Sequence, residues 1–316
     1  MPMLEQHEVA AYLLARRLIS RRSIVSGRLR IADASSRNRN FRVSGAPGES
    51  YLLKQGLAAD SAHTLANEVA LYRRLVAVAA WIPRLVAHDA QRGVLILEWI
   101  EGGQALDRRG RCSPTLAAVL GRVLADLHAI APDGEELRRD APWVLALHRP
   151  PLDALRSFSA ASVELVTALQ RDAAACRALD ELRDGWRADA LVHRDVKWAN
   201  CVVHGRAIAL VDWEMAGWGD PAGDVGSALA EFTGRSPNAG ALWRSYVARR
   251  GLDADAASQL LVRALRHAGA RLLQTGYEHT QEIAGLDARA AADLRCARAL
   301  LVSPRDAAAT LLGIAA

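Results

Sequence analysis

Lysine is nearly absent from this sequence. Only two of its 40 basic residues, Lys54 and Lys197, are lysines, and every other basic residue is an arginine. The lysine ammonium can approach a phosphate as a compact point charge, whereas the guanidinium fork of arginine is larger and planar. We therefore expect a chemical reason for these two lysines, namely close contact with a phosphate where space is tight.

Paired cysteines and long apolar runs are also missing. The absence of a CxxC pair argues against a zinc site or a disulfide framework, and it predicts that the cysteines are small apolar core residues. No run approaches the roughly 18 apolar residues of a membrane span, and the N-terminus has early acidic residues where a signal peptide would be basic. We expect a cytoplasmic protein without a membrane partner. The four cysteines are Cys112, Cys176, Cys201 and Cys296.

Acidic residues are scarce in the N-terminal part. Residues 1–54 hold nine arginines and one lysine against four acids, a balance of +6, whereas the whole chain has a net charge of +5. Such a surface could attract nucleic acid, an acidic peptide or nucleotide phosphates, or it could be a solvated helix face. No zinc-finger, RRM or helix-turn-helix signature supports a nucleic-acid partner, which we do not expect. A basic binding module is the main non-enzyme alternative.

The first hundred residues predict a small sheet crossed by one helix. Residues 4–21 have helical periodicity, and three short strands follow in SIVSGRLRIADA, RNFRV and ESYLLKQG, with Lys54 closing the third. Residues 61–78 form an amphipathic helix, and PRLVAHDA and GVLILEWI add two more strands. We predict a five-stranded sheet in an N-terminal domain of residues 1–98.

The rest of the chain is predicted to be mostly helical. Two glycines within residues 99–103 indicate a hinge, where a second domain of residues 99–316 begins. One compact segment, ALVHRDVKWANCVVHGRAIALVDWE, interrupts the helices and indicates a loop, a strand, a turn and a strand. The whole pattern predicts an α+β fold. Helical spacing of Leu, Ala and Val marks residues 221–232, 239–250, 255–275 and 286–313.

One segment, HRDVKWAN at residues 193–200, carries the residue types that phosphoryl transfer requires. That reaction needs a base or positioner at the attacking hydroxyl, Mg²⁺ ligands, and cations on the phosphates. Asp195 would accept or orient the acceptor proton, Asn200 would reach the metal, and Lys197 would lie against the transferred phosphate. The spacing H-R-D-x-x-x-x-N is a known signature of the kinase catalytic loop. His193 is expected to orient this loop.

Two further positions extend the kinase pattern. Asp212 ends an apolar strand in the segment at residues 211–214, from which a kinase directs its second magnesium carboxylate. Upstream, Lys54 and Glu68 stand where kinases place the ion pair that aligns the α and β phosphates. Glu214 could be a further metal carboxylate, or it could bond to the main chain.

The order of these motifs resembles the aminoglycoside phosphotransferase and choline kinase-like family over about residues 24–232. Trp213 and Glu214 follow Asp212 where protein kinases have Phe-Gly, and a Gly-Asp-Pro segment with Asp224 comes next. The resemblance implies a bilobal protein-kinase-like fold and transfer of the γ-phosphate of ATP, with Mg²⁺, to an alcohol. The motifs are LLK, NEVALYRRL, VLILEW, LADLHAI, HRDVKWAN, VDWE and GDPAGDVG.

The resemblance also implies how the nucleotide is bound. Lys54, Asn200 and Asp212 would meet the phosphates and Mg²⁺, and main-chain groups near the adenine would come from Leu97, Glu98, Trp99 and Ile100. The phosphate loop ADASSRNRN lacks glycine, so we expect its cradle to use Ser35, Ser36 or main-chain amides. The catalytic loop departs from the small-molecule kinases of the family, which more often have glycine where Arg194 stands and vary at Lys197.

Residues near these motifs also have simpler structural interpretations. Asp220 and Asp224 are expected to brace the loop, and Asp220 before Pro221 also suits a helix start. Trp198, Trp213 and Trp218 could form a stacking surface for an acceptor, but packing in the core is the better expectation.

The acceptor is the least determined part of the reaction. Aminoglycosides are polycations, yet residues 216–316 hold ten acids against eleven arginines, which weakens that acceptor class. Lys197 and the GWGDP segment also resemble kinases that phosphorylate Ser or Thr of ribosomally made precursor peptides before a partner lyase eliminates the phosphate. We expect a peptide hydroxyl, with an aminoglycoside or other small-molecule alcohol as the alternative. A pseudokinase is disfavoured because Lys54, Asp195, Asn200 and Asp212 are all present.

Overall fold

The computed structural model describes residues 3–35, 38–56, 59–75, 80–132 and 137–314. They fall into two compact units. Unit 1 comprises Met1–Ala105 and Asn200–Met215, and unit 2 comprises Leu106–Ala199 and Ala216–Ala316. The first part of unit 1 ends at Ala105, whereas the predicted boundary is at residue 98. In addition, the segment that carries Asn200 and Asp212 belongs to unit 1 and not to the second domain. The chain therefore crosses between the units three times.

Unit 1 contains a five-stranded antiparallel sheet with the strand order β1-β2-β3-β5-β4. The sheet confirms the predicted five strands. Lys54 lies one residue before the end of the central strand β3, opposite Asn40 on one side and Leu95 on the other. The strands are β1 (Arg30–Asp33), β2 (Arg39–Ser44), β3 (Ser50–Gln55), β4 (Leu85–Asp89) and β5 (Val94–Glu98).

The N-terminal helix is shorter than predicted. Helix α1 (Gln6–Ala15) stops six residues before the predicted end at residue 21, and Arg17 adopts a positive φ of 59°. A second helix, α2 (Arg21–Val25), then begins because the Ser20 hydroxyl accepts a hydrogen bond from the Ser23 amide at 3.2 Å. The strand predicted from residue 23 was therefore wrong in its start, since β1 begins only at Arg30.

Two further elements of unit 1 position functional side chains. Helix α3 (Ala59–Leu75) places Glu68 in the interior, and the last residues of the predicted helix 61–78 lie outside the described residues. A second antiparallel sheet, in the order β6-β8-β9, holds the chain on both sides of a turn at Gly205. Its strands are β6 (Gln104–Ala105), β8 (Cys201–His204) and β9 (Ala207–Leu210).

Unit 2 is mostly helical and contains one two-stranded antiparallel sheet. Strand β7 (Ala190–Val192), which leads directly into the HRD segment, pairs with β10 (Gly217–Gly219). The helices are α4 (Pro114–Leu127), α5 (Leu152–Leu155), α6 (Ala160–Gln170), α7 (Ala173–Asp184), α8 (Pro221–Ala230), α9 (Ala239–Arg250), α10 (Ala254–Thr280), α11 (Ala288–Val302) and α12 (Pro304–Ala307).

The predicted helices of the C-terminal part exist, with two changes of bounds. Helix α10 continues to Thr280, five residues past the predicted end at 275. The helix predicted over 286–313 is instead broken at Ser303, because Pro304 has no amide hydrogen with which to continue the α11 ladder. A separate π-helical turn, Ala308–Leu312, follows α12.

Close helix packing in unit 2 depends on two glycines. A Cβ on Gly121 of α4 would lie 2.3 Å from the Leu242 carbonyl oxygen on α9, and one on Gly226 of α8 would lie 2.4 Å from the Ala264 carbonyl oxygen on α10. Both distances are well below van der Waals contact, so a side chain at either position would force the helices apart. Helix α10 thereby lies against α8, whose N-cap residue is Asp220.

Cys112 and Cys201 are buried, and Cys176 and Cys296 are half-buried. No helix among the described residues combines the length and apolar character needed to cross a membrane.

Candidate active site

An ammonium held by two carboxylates is the main polar feature of unit 1. The Lys54 Nζ donates to both oxygens of Glu68, at 3.0 and 2.8 Å, and to Asp212 Oδ1 at 2.8 Å. Lys54 lies on β3, Glu68 on α3, and Asp212 two residues after β9, so three separate elements converge on one cation. The structure thus brings together the two residues of the predicted ion pair and a predicted metal ligand.

Burial makes this cluster electrostatically strong. Lys54 is 4% exposed and Glu68 is fully buried. Burial alone would lower the pKa of Lys54, but the carboxylates of Glu68 and Asp212 outweigh it and raise the pKa above its ordinary value. Burial raises the pKa of Glu68, and the Lys54 ammonium opposes that shift. Lys54 therefore remains a cation at neutral pH.

Asp212 and Asn200 are brought together by a main-chain hydrogen bond. The Val211 amide donates to the Asn200 carbonyl oxygen at 3.0 Å, which joins the start of β8 to the end of β9. Asp212 has a positive φ of 70°, a conformation that Asp tolerates better than most residues but that still costs energy. Its side chain is 36% exposed. The strained backbone thus directs a partly exposed carboxylate that also binds Lys54.

The donor set of Asn200 and Asp212 fits a magnesium–nucleotide complex. Mg²⁺ prefers oxygen ligands and, when it binds with a nucleotide, needs only one or two carboxylates in addition to phosphate oxygens. An amide oxygen and a carboxylate beside a fixed ammonium meet that requirement. No cluster of three or more His, Cys, Asp or Glu residues that could hold a metal by itself occurs in the part of the chain that the structure describes.

Ser35 belongs to the predicted phosphate loop, and Glu214 contacts that loop. The Asn38 side-chain amide donates to Glu214 Oε2 at 2.8 Å, so this acid binds a side chain of the loop. The Ser35 hydroxyl accepts a hydrogen bond from the Asn40 amide at 3.1 Å, so it stabilises the turn to which it belongs. Ser36 lies outside the described residues.

The predicted adenine-binding segment ends β5. Leu97 is buried, whereas Glu98 is exposed. The amides of Glu98 and Trp99 donate to the carbonyl oxygens of Arg84 at 2.9 Å and Ser50 at 3.0 Å, and the Ile100 carbonyl accepts from Gly103 at 3.0 Å. These main-chain groups are fixed within unit 1, and their contact with adenine stays a prediction.

Asp195, in unit 2, is flanked by two cations. Its Oδ2 accepts a hydrogen bond from Lys197 Nζ at 2.6 Å, and its Oδ1 lies 3.3 Å from Arg271 Nη1. Burial alone would raise the pKa of Asp195, but the Arg271 guanidinium and the Lys197 ammonium outweigh it and hold the pKa below its ordinary value. Asp195 is therefore ionised at neutral pH.

Arg271 was not among the predicted site residues. It lies on α10, 76 positions after Asp195, and its side chain is only 7% exposed. The sequence did contain a signal, because Ala264, Ala268 and Arg271 recur at the helical spacing of one buried face. An arginine on an otherwise apolar stripe is unusual and marks a paired charge.

The main chain around Asp195 is braced by a buried carboxylate. Asp224, 1% exposed, accepts hydrogen bonds from the amides of His193 at 2.6 Å and Arg194 at 2.8 Å. The Asp195 amide donates to His193 Nδ1 at 3.3 Å. Arg194 has a positive φ of 69°, which is rare for a residue other than glycine. His193 and Asp224 therefore shape the loop, and a strained Arg194 precedes the carboxylate.

The three tryptophans near these segments are core residues. Trp198, Trp213 and Trp218 are at most 1% exposed. Trp213 packs against Trp81 with ring centroids 5.8 Å apart, and its Nε1 donates to the Leu210 carbonyl oxygen at 2.9 Å. They cannot form the stacking surface that was considered for an acceptor.

Comparison with known proteins shows the family and the fold. Residues 28–261 match the family model described as "Phosphotransferase enzyme family". Among the curated protein sequences compared with the chain, none is a match. Solved structures match over nearly the whole chain, and they show an α+β protein-kinase-like fold, which confirms the predicted fold class.

Three of these solved structures illustrate the range of similar proteins. A choline/ethanolamine kinase family protein from Mesorhizobium loti is 19% identical, with a TM-score of 0.60 and coverage of 95% of this chain and 96% of that one. Choline kinase from Cryptosporidium parvum Iowa II is 11% identical, with a TM-score of 0.65 and coverage of 94% and 95%. An ADP-bound aminoglycoside phosphotransferase is 13% identical, with a TM-score of 0.58 and coverage of 95% and 100%. At these identities the likeness shows the fold alone.

Proposed function

Because the chain belongs to the phosphotransferase enzyme family, we propose that it transfers the γ-phosphoryl group of ATP, with Mg²⁺, to an acceptor hydroxyl. The observation that carries the proposal is the Lys54 ammonium held by Glu68 and Asp212. In the reaction the acceptor oxygen forms a bond to the γ-phosphorus, the bond from that phosphorus to the ADP oxygen breaks, and the hydroxyl proton passes to Asp195. The ADP-bound neighbour supports a nucleotide as donor.

The residues of unit 1 would bind the nucleotide. Lys54, fixed as a cation by two carboxylates, would pair with the α and β phosphates, while Asn200 and Asp212 would hold Mg²⁺. When bound, Mg²⁺ neutralises charge on the phosphate oxygens as the bond to ADP breaks. Ser35 and the main-chain groups of residues 97–100 complete the proposed nucleotide contacts.

The residues of unit 2 would position the acceptor. With its pKa held low, Asp195 is a weak base, so its main contribution is to accept a hydrogen bond from the hydroxyl and to take the proton late in the reaction. Lys197 lies against Asp195 and would contact the phosphoryl group as it moves to the acceptor. The loop braced by Asp224 supplies the rigid frame that such positioning requires.

Two acceptor classes remain, and each has an observation in its favour. Neighbours named for choline, ethanolamine and aminoglycosides favour a small-molecule alcohol. Exposed arginines at the N-terminus favour the Ser or Thr hydroxyl of an acidic precursor peptide, and a partner lyase for such a product stays a prediction. Arg17, Arg21 and Arg22 are exposed, whereas Arg16 forms an ion pair with Asp89 and packs over the Tyr12 ring.

The two lysines provide a test of the nucleotide assignment. Lys54→Arg should shrink the thermal stabilisation produced by Mg²⁺ and ATP, because the larger fork cannot fit between Glu68 and Asp212. Lys197→Arg should leave that stabilisation intact and slow phosphate transfer. Melting curves with and without Mg²⁺ and ATP, together with a transfer assay, separate the two effects. Unaltered melting and kinetics in both variants would contradict both assignments.

The peptide acceptor is tested through the N-terminal arginines. If an acidic peptide docks on them, its affinity should fall between about 50 and 500 mM salt, because the Debye length shortens several-fold. Replacing Arg17, Arg21 and Arg22 by glutamine should weaken peptide binding and leave the KM for ATP unchanged. The matched control replaces three exposed arginines of unit 2 by glutamine. Equal peptide affinity in the two triple variants would remove the case for a peptide. The control positions are Arg108, Arg109 and Arg111.

A further inference from the structure

A pocket of unit 2 shares two arginines with the surroundings of Asp195. Arg194 and Arg271 line it together with Trp186, His267 and Gln274, and Arg271 also lies 3.3 Å from Asp195. A ligand in this pocket would therefore be separated from the proposed catalytic carboxylate of Asp195 by the Arg271 side chain. The charge of the pocket bears directly on the chemical class of the acceptor.

The carboxylates of the pocket are already bound within the protein. Asp224 accepts the amides of His193 and Arg194 and lies 3.3 Å from His128 Nε2. Asp220 accepts the Ala222 amide at the start of α8 and forms an ion pair with Arg263 at 3.2 Å. Both acids therefore have hydrogen-bond or ion-pair partners inside the protein. A cationic acceptor would have to compete with those partners to pair with either carboxylate.

The arginines also have partners, since Arg194 binds Asp140 and Arg271 lies beside Asp195, but each keeps one unused donor. The Nε atoms of Arg194 and Arg271 are buried and have no hydrogen-bond partner among the described residues. Arg271 is 7% exposed, so water cannot readily replace the missing partner. A buried donor without a partner destabilises the protein, and a charged donor does so more than a neutral one. An anionic ligand group would satisfy these guanidinium groups.

The charge around Asp195 points the same way. Lys197 and Arg271 are two cations against one carboxylate, so this cluster is net positive. His267, the remaining titratable group of the pocket wall, adds no charge at neutral pH because burial lowers its pKa to about 4. A choline-like or aminoglycoside acceptor would meet repulsion here, whereas a carboxylate or phosphate would be attracted.

We infer that the acceptor carries an anionic group close to its reacting hydroxyl, and that Arg271 binds this group. The inference rests on the proposed function and specifies the acceptor of the same site. Two sources share this chemistry, namely a small hydroxy acid and a peptide in which an acidic residue neighbours the Ser or Thr. Arg271 is thus a specificity-determining residue as well as a neighbour of Asp195.

The test compares acceptors of equal size and different charge. Glycerate, glycerol and 3-amino-1,2-propanediol form one series, and Ser peptides flanked by Glu, Gln or Lys form another. We expect the anionic member of at least one series to exceed its cationic member by about tenfold or more in kcat/KM, as for one charge-assisted hydrogen bond. The series that responds identifies the source of the anion.

Variants on α10 assign the preference to Arg271. Arg271→Gln should reduce the anionic-to-cationic ratio by about tenfold, and Arg271→Lys should restore part of it. Arg266→Gln is the matched control, because Arg266 lies on the same helix and also has a buried Nε without a partner, but it pairs with Glu181 and does not line the pocket. That control should leave the ratio within about twofold of the wild type.

Several outcomes would overturn the inference. The first is a wild-type preference for the amine, the Lys peptide or an aminoglycoside. The second is an anionic-to-cationic ratio of kcat/KM in Arg271→Gln that equals the wild-type ratio. The third is the absence of calorimetric binding of every anionic acceptor in the presence of Mg²⁺ and a non-hydrolysable ATP analogue. The proposed function is judged separately. Wild-type protein that gains no stabilisation from Mg²⁺ and ATP would contradict it, whereas the charge preference decides the inference alone.

Discussion

Asp195→Asn is expected to lower kcat by about 10²–10⁴-fold, which is the usual contribution of a positioned base. The amide keeps the size of the side chain and cannot take the proton, and it loses the charge that holds Lys197 and Arg271 in place. Nucleotide binding should persist, because Lys54, Glu68 and Asp212 belong to unit 1. The measurement is steady-state phosphate transfer, with binding of Mg²⁺ and ATP followed by thermal melting.

The control for this variant is Asp189→Asn, six residues upstream. Asp189 is exposed and belongs to the same unit, so its loss should leave kcat within about twofold of the wild type. If Asp195→Asn also keeps kcat within about twofold for every acceptor that the wild type phosphorylates, Asp195 is not the catalytic carboxylate.

Asp212→Ala is expected to abolish the magnesium-dependent part of nucleotide binding. A ligand at about 100 times its Kd stabilises a protein by about 2.7 kcal/mol, or about 4 °C in Tm for a protein of this size. That increase should vanish in the variant, because the proposed metal carboxylate is gone and Lys54 then pairs with Glu68 alone. The measurement is Tm with ATP, in the presence of Mg²⁺ and again with EDTA.

Two comparisons make this result specific to the metal. Asp212→Asn keeps an oxygen ligand and the side-chain volume, so it should retain part of the magnesium effect. Glu282→Ala removes an exposed carboxylate and should behave like the wild type. An EDTA-sensitive stabilisation of wild-type size in Asp212→Ala would remove Asp212 from the proposed metal site.

Local patterns were sufficient to predict most elements and the cation cluster. Alternating apolar residues identified the five strands, and 3.6-residue periodicity identified the long helices. The Lys54–Glu68 ion pair and the position of Asp212 were predicted from the signature and the order of the motifs, because each residue occupies a recognisable place at a strand end or on a helix, whereas the bond between Lys54 and Asp212 was not predicted. Such positions are encoded within a few residues of chain.

Long-range pairings were less accessible. The contact of Arg271 with Asp195 depends on how α10 packs against α8, and that packing requires Gly226. Gly226 ends the GDPAGDVG motif, but the motif does not indicate which helix packs against it. Helix α1 ends at Ala15 because Arg17 has a positive φ and Ser20 caps a new helix. The helical spacing of apolar residues in the sequence continues past both residues and therefore did not reveal this end. Asn38 binds Glu214 across 176 residues of sequence, and no local pattern could join them.

The interleaving of the two units also affects the order of events on the ribosome. Unit 1 is completed by a segment that ends at Met215, after all of residues 106–199 have been made. Lys54 and Asp212 are separated by 158 residues, which at about 5–20 residues per second corresponds to roughly 8–30 s of translation. During that interval Lys54 can pair with Glu68, but its second carboxylate does not yet exist. The nascent sheet therefore acquires its complete charge cluster only after Asp212 has been synthesised.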